Sequence, residues 1–491
     1  MGQTMLRGFL PLFLLLLAAC TQVAEEEALP VAFVGTPEEL ETDGLRLYVP
    51  AQALRAATAQ GLVRLDAAGE VVPGVAQSWI VTDDGLSYIF RLQNTTWPDG
   101  QELTAQGVRR QLLRTMRELR GTSLGLDLAK VAEVRALTSR VVEIELSSPQ
   151  AQFLRVLAQP ELGFVRDAAG LGPMRRTGQA DKALTLTPIP PQERGLPEEP
   201  RWAQMARPLK VTALPAEQAV AAFNRGQLAL VLGGELTSLP LVDTGPLTRG
   251  TVRIDQALGL FGLDVVRTDG FLGEPENREA VAMAIDRTAL LEPFNLTGWT
   301  PATRIVPPAL PGNPRQNAER WEELDLLQRR AIAAGRVARW RAAEGTIDPI
   351  AVRLPDGPGS ELLFQRLAAD LAAVGLPVRR ADDGEAADLM LRDRVARYGQ
   401  ARWFLNQFHC SVERALCAPE ADALVERATG ALNPLERAAL LAQAEDVLTA
   451  RNLFIPLGAP VRWSLVRSGV EGFTENIWAA HPLFPLSGAP I

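Results

Sequence analysis

The segment that most constrains this chain runs from Gly61 to Ala105, where turn formers recur at short intervals: Gly69, Pro73-Gly74, Asp83-Asp84-Gly85 and Trp97-Pro98-Asp99-Gly100. Only short strands fit between such breaks, because Gly, Pro and Asp supply the backbone conformations that tight turns demand. Tyr88 to Leu92 alternates, and Val71 to Trp79 leads into the Asp-Gly turn, so the segment reads as the hairpins of a small β domain anchored by Trp79, Tyr88, Phe90 and Trp97. Thr104 is placed to cap the helix that follows, on which Val108, Leu112, Leu113 and Met116 share one face. Val141 to Leu146 alternates strictly and ends at Ser147-Ser148-Pro149, the pattern of a half-exposed strand.

Beyond this region the texture changes. Thr187 to Pro208 is crowded with prolines and charges and reads as a surface loop. Strands near Leu209 to Thr212 and Leu228 to Leu232 then flank a helix at Ala216 to Asn224, an alternation that favours a parallel sheet. The C-terminal half repeats it, with helices expected at Arg278 to Asp286, Trp321 to Ala343, Ser360 to Val374 and Pro434 to Thr449, and strands at Ile350 to Leu354 and Pro377 to Arg380. A chain of 491 residues exceeds one simple core, and 47% hydrophobic with 22% charged residues is the composition of a globular protein. A net charge of -8 argues against a nucleic-acid partner, which needs a basic face. No His-Glu-x-x-His helix or phosphate-cradling loop is present, so the chain reads as a binding protein and not an enzyme, with no cofactor and no metal site expected.

The N-terminus sets the compartment. Arg7 precedes the apolar run Phe9 to Ala19, which is too short to span a bilayer and ends in Leu17-Ala18-Ala19-Cys20. Residues 1–20 therefore read as a signal peptide with a lipobox, and the likeness to bacterial lipoproteins implies lipidation of Cys20 and an envelope location, anchored to a membrane. In that oxidising compartment the remaining cysteines, Cys410 and Cys417, are expected to form a local disulfide, with free thiols or a metal site shared with His409 as the alternatives. Closing so short a loop contributes about 2 to 2.5 kcal/mol in the chain-entropy picture.

The order of motifs resembles the family 5 extracellular solute-binding proteins, which include oligopeptide-, dipeptide- and nickel-binding lipoproteins. It rests on Gly61-Leu62-Val63, Val72-Pro73-Gly74-Val75-Ala76, Ser78-Trp79, Asp83-Asp84-Gly85-Leu86, Phe90-Arg91-Leu92, Trp97-Pro98-Asp99-Gly100 and Leu103-Thr104-Ala105. Gly172-Pro173-Met174, Arg278-Glu279-Ala280-Val281, Ile455-Pro456-Leu457 and Val470-Glu471-Gly472-Phe473 extend it toward the C-terminus. The resemblance implies an α/β, periplasmic-binding-protein-like type II fold: two lobes with a hinge, plus an inserted β-rich domain. In this chain that gives a tether and the start of lobe I at 21–60, the inserted domain at 61–160, lobe I continued at 161–258, lobe II at 259–463 and a return to lobe I at 464–491. Hinge crossings are expected near Leu258 to Asp264 and Pro460 to Val466.

The implied function is the solute-binding component of an ABC transporter, a monomer that closes on a peptide or peptide-like ligand and delivers it to permease subunits. Peptide binders of the family hold the ligand ammonium with an acidic residue in an Ala-Asp-Tyr segment, and the counterpart here is Ala396-Arg397-Tyr398. Arginine at that place suits a carboxylate better than an ammonium, so Arg397, Tyr398 and Trp403 are the expected ligand-binding residues and an anionic or N-blocked ligand is expected. Nickel or metallophore binding through His409 or His481, and a surface adaptor with degenerate binding, are the alternatives.

Overall fold

The structure, a computed structural model, describes residues 28–489 apart from 43, 168, 181, 243–249, 309, 311–316, 383 and 413–415. The signal segment, Cys20 and most of the expected tether lie outside the described residues.

Two large sheets and one smaller one organise the chain. The first has seven strands in the order Met174–Ala180, Ala183–Pro188, Leu209–Leu214, Leu29–Val34, Leu230–Glu235, Val461–Val466 and Val252–Gln256. Leu29–Val34 lies parallel to both of its neighbours. Its side chains serve two cores at once, with Leu29, Val31 and Phe33 in one apolar cluster and Ala32 in another, as a strand covered on both faces requires. The second sheet has five strands, ordered Val378–Arg380, Ile350–Arg353, Leu389–Val395, Gly259–Val265 and Phe454–Gly458.

Helices pack on this second sheet, and their starts follow local capping chemistry. Leu326–Glu344 begins after Asp325, whose carboxylate accepts from the Gln328 N–H while the Gln328 side chain returns the bond. That capping box places the start five residues later than the Trp321 expected from periodicity. Pro275–Ala284 likewise stops short of Asp286, because Asp286 caps the next helix, Arg287–Leu290.

The four-stranded sheet is antiparallel, in the order Ala76–Val81, Ser87–Leu92, Val141–Leu146 and Val131–Thr138. Tyr88, Phe90 and Leu92 point inward, and Tyr88 meets the Phe153 ring edge-on at 5.0 Å. The Ala105–Glu118 helix covers the sheet, capped by Thr104, whose side chain accepts from the Gly107 N–H. Gly85 in the Asp-Gly turn has φ of 68°, a conformation that a side chain would strain.

The chain crosses between the two large sheets at Ala257–Leu258 and returns at Ala459–Pro460, and the Ala257 N–H donates to the Pro460 carbonyl at 3.0 Å. The return thus comes earlier than an end of lobe II at 463 would place it: Val461–Val466 is wholly a strand of the first sheet, held antiparallel by neighbours on both sides.

Between the inserted unit and the second lobe lies a buried polar knot. Asp127 Oδ1 accepts from the Tyr398 hydroxyl at 2.8 Å and from Asn406 Nδ2 at 2.7 Å, while Arg402 donates to the Leu126 carbonyl at 2.6 Å. Burial pushes the Asp127 carboxyl up to about 6, with Arg402, Asn406 and Tyr398 opposing.

Candidate functional site

A cavity of about 690 Å³ opens where the lobes and the inserted unit meet, within the range of small-ligand pockets. One wall comes from residues 45–61 and the strand ends at 232–235 and 462–464, a second from 155–161, a third from 393–397 with Trp403 and Gln407, and a fourth from 478–484. Every one of these segments is distant in sequence from most of the others. The hinge crossings bring them together.

Arg397 lines this cavity, and its Nη2 donates to Glu161 Oε1, in the short helix Pro160–Leu162, at 2.7 Å across the gap from the second lobe. Trp403 also borders it, though its side chain is only 1% exposed, with its ring edge-on to Phe404 at 4.9 Å. Tyr398 does not line it: the ring is fully buried and the hydroxyl is spent on Asp127. The strand Leu389–Val395 has ended before these residues, and in the bend that follows Arg397 faces the cavity while Tyr398 enters the domain interface. The structure thus places Tyr398 in the interface between the inserted unit and the second lobe, apart from the cavity that Arg397 lines.

Cys410 and Cys417 are joined, with Cα atoms 5.2 Å apart. His409 sits beside them, its Nδ1 hydrogen-bonded to the Ser411 hydroxyl at 2.8 Å and 3.9 Å from Asp422 Oδ2. Among the described residues no group of three or more His, Cys, Asp or Glu side chains is arranged to hold a metal ion. No described helix is long and apolar enough to cross a membrane.

Several charged groups of the cavity carried no sequence signal. Arg462, two residues past the return crossing, donates to Asp393 Oδ1 at 2.7 Å and lies 3.7 Å from Glu235, linking the second lobe to the first. Both carboxyls are pushed up by burial while Arg462 pulls them down. His481 donates or accepts through Nε2 with Asp255 Oδ2 at 2.8 Å, and its ring stacks on Phe473 at 4.4 Å. The Arg155 guanidinium lies over the Trp478 ring, 4.0 Å from its centre, and Arg64 approaches Phe484 at 5.7 Å. These residues sit at no motif spacing, and only tertiary proximity unites them.

Residues 70–187 match the model for the middle part of the bacterial extracellular solute-binding proteins, family 5. The chain is 26% identical, over 93% of its length and 94% of the other's, to the probable di/tripeptide-binding protein 5 of Pseudomonas aeruginosa (strain UCBPP-PA14). It is 24% identical to the probable deoxycholate-binding periplasmic protein YgiS of Escherichia coli (strain K12), over 84% of each chain. Its structure is similar to that of Haemophilus influenzae OppA in complex with RPPGFSPFR, with a TM-score of 0.77 at 18% identity, covering 96% of this chain and all (100%) of that one. Two α/β lobes, paired crossings and an inserted β-rich unit make this the type II periplasmic-binding-protein fold.

Proposed function

We infer that this chain, a bacterial extracellular solute-binding protein of family 5, works by closing its two lobes on a peptide-like solute and presenting the closed form to an ABC permease. The observation that carries the reading is the cavity itself: it draws walls from both lobes and the inserted unit, and both crossings between the lobes lie beside it. A ligand that touches both sides binds the closed state better than the open one, and that difference alone shifts the equilibrium. Arg397 and Trp403 are the proposed ligand contacts on the second lobe, with Arg397 aimed at a carboxylate.

Binding, not catalysis, is the proposed activity. The proposed setting is the outer side of a membrane, with Cys20 lipidated, Cys410 and Cys417 bridged and the chain acting as a monomer. The test is small-angle scattering and calorimetry with di- and tripeptides. Saturable binding accompanied by a fall in radius of gyration supports the reading, whereas peptides that neither bind nor compact the chain overturn it and return weight to an adaptor role.

A further inference from the structure

The two crossings between the lobes divide their backbone hydrogen bonds by lobe. In the first, the Leu258 N–H donates to the Ile477 carbonyl at 2.7 Å, in the return of the chain to the first lobe, while its carbonyl accepts from the Ala396 N–H of the second lobe at 2.7 Å. In the second, the Ala459 N–H donates to the Thr300 carbonyl at 3.1 Å and its carbonyl accepts from Trp299 Nε1 at 2.8 Å, both on the second lobe. The Pro460 carbonyl then accepts from the Ala257 N–H at 3.0 Å on the first-lobe side. Bonding passes from one lobe to the other at Leu258 and at Pro460, so a rotation of the lobes is absorbed at these residues, and the proline ring leaves Pro460 only ψ to give.

Trp299 and Thr300 belong to a segment, 297–302, that touches both crossings. Pro301 pairs antiparallel with Gly458, and the Ala302 N–H donates to the Leu457 carbonyl at 3.1 Å, so the segment runs along Phe454–Gly458, the edge strand of the second sheet. Gly458 permits this approach, because a Cβ on it would stand 2.1 Å from the Trp299 ring. At its start the segment reaches the first lobe: the Thr297 carbonyl accepts from Gln256 Nε2 at 2.8 Å, and Gln256 ends Val252–Gln256, the edge strand of the first sheet. Gly298, with φ of 75°, lies close against that side chain, since a Cβ on it would be 3.0 Å from Gln256 Nε2. Neither Gln256 nor any residue of 297–302 lines the cavity. A bond between two bodies that turn on each other is kept in one arrangement and lost in another unless it lies on the axis. Here it is formed with the lobes together, as the Arg397–Glu161 bond shows them, and it weights that state.

We propose that residues 297–302 form a strap over the hinge, in which Trp299 fixes the second crossing to the second lobe and the Gln256–Thr297 bond holds the lobes together from outside the cavity. Gln256 is then a positioning residue that raises solute affinity without touching the solute, by raising the closed population. The proposal rests on the reading of the two lobes as closing on a solute.

The test is amide hydrogen exchange on the purified full-length chain, with and without Ala-Ala-Ala, for the parent, Gln256→Ala and Gln256→Glu. The reporter is the Gly399 N–H, which donates to Gln152 Oε1 of the inserted unit at 2.8 Å and is freed when the lobes part; the amides of Leu29–Val34, inside the first sheet, are the control. Exchange reads the open fraction even where it is small. Both variants are expected to speed Gly399 exchange in the ligand-free chain about 2- to 10-fold, the scale of one neutral hydrogen bond, with the control amides and the melting temperature unchanged. Binding of Ala-Ala-Ala, read by calorimetry, is expected to weaken by no more than that factor. Trp299→Phe, which removes the donor to Ala459 and keeps a ring, is expected to act in the same direction. Gly399 rates equal to the parent's, or control rates that rise alongside, overturn the strap. Ala-Ala-Ala that binds without slowing Gly399 exchange in the parent overturns the closure reading instead, and the ligand-free comparison decides the strap whether or not this peptide binds.

Discussion

Replacing Asp127 by Asn gives a sharp test of how the inserted unit is docked on the second lobe. The carboxyl is fully buried, and burial raises it from an ordinary 3.8 to about 6. The folded state therefore holds the proton more tightly than the unfolded state does. The stability this group contributes is fully present below the unfolded value and is lost as pH rises through about 6. The gap corresponds to about 3 kcal/mol between acidic and neutral solution. Both the Tyr398 hydroxyl and Asn406 Nδ2 donate to the same oxygen, Oδ1, while Oδ2 is buried with no hydrogen-bond partner, so an asparagine keeps both bonds and removes the charge. The expectation is that Asp127→Asn gains on the parent as pH rises from 4 to 8, by up to about 3 kcal/mol, a figure that already contains the attraction to Arg402. Asp127→Ala strands two buried donors and is expected to fall about 2 to 6 kcal/mol below the asparagine variant. Urea unfolding at pH 4, 6 and 8 with a common m-value is the assay. An Asp127→Asn advantage that stays flat or shrinks toward pH 8 refutes the reasoning, since it means that the ionised carboxylate is the stabilising form.

Lys130, in the same interface, titrates in the opposite sense: burial lowers it from 10.5 to about 7, so its protonated form penalises the fold, and Lys130→Met is expected to stabilise at pH 6 with the advantage fading as pH rises from about 7 toward 10.5, read from urea curves extended to about pH 10. Glu161→Gln removes the acidic partner of Arg397 and is expected to tighten anionic ligands severalfold while leaving the melting temperature within a few degrees, as calorimetry and thermal melting will report; weakened binding of anions contradicts this. Gly234→Ala brings a Cβ within 2.0 Å of the Trp463 ring, which is fully buried, and is expected to cost about 1 to 3 kcal/mol by overpacking, measured by urea midpoint. Reduction of Cys410–Cys417 is expected to lower stability by about 2 to 2.5 kcal/mol, with two thiols appearing on titration under denaturant.

Local chemistry made much of the architecture legible. The Asp-Gly and Pro-Gly breaks and the alternation of Tyr88, Phe90 and Leu92 announce a hairpin sheet, and Thr104 announces the helix over it. Helix starts were less legible wherever a side chain two or three residues away chose the cap, as Asp325 and Asp286 do. Arg397 and Trp403 were legible as cavity residues through their segment, whereas Tyr398 was not separable from them, because the bend that follows the strand Leu389–Val395 decides which side chain meets the cavity. Glu161, Asp393, Arg462 and Arg155 carried no signal at all, and His481 stood out only as an alternative metal-binding residue.

Turn chemistry, alternation and helical periodicity act over a few residues, so the sequence by itself determined the β-rich inserted unit, the α/β texture of the two lobes and the order of motifs that marks the family. Which groups face one another across the cleft depends on two crossings that set strands hundreds of residues apart side by side, and on burial that decides which charges are paired. The Arg397–Glu161 bond joins positions 236 residues apart, and Asp127–Tyr398 joins positions 271 apart. Electrostatics at such sites is a property of distance in space and of lost solvent, and only the tertiary structure supplies either.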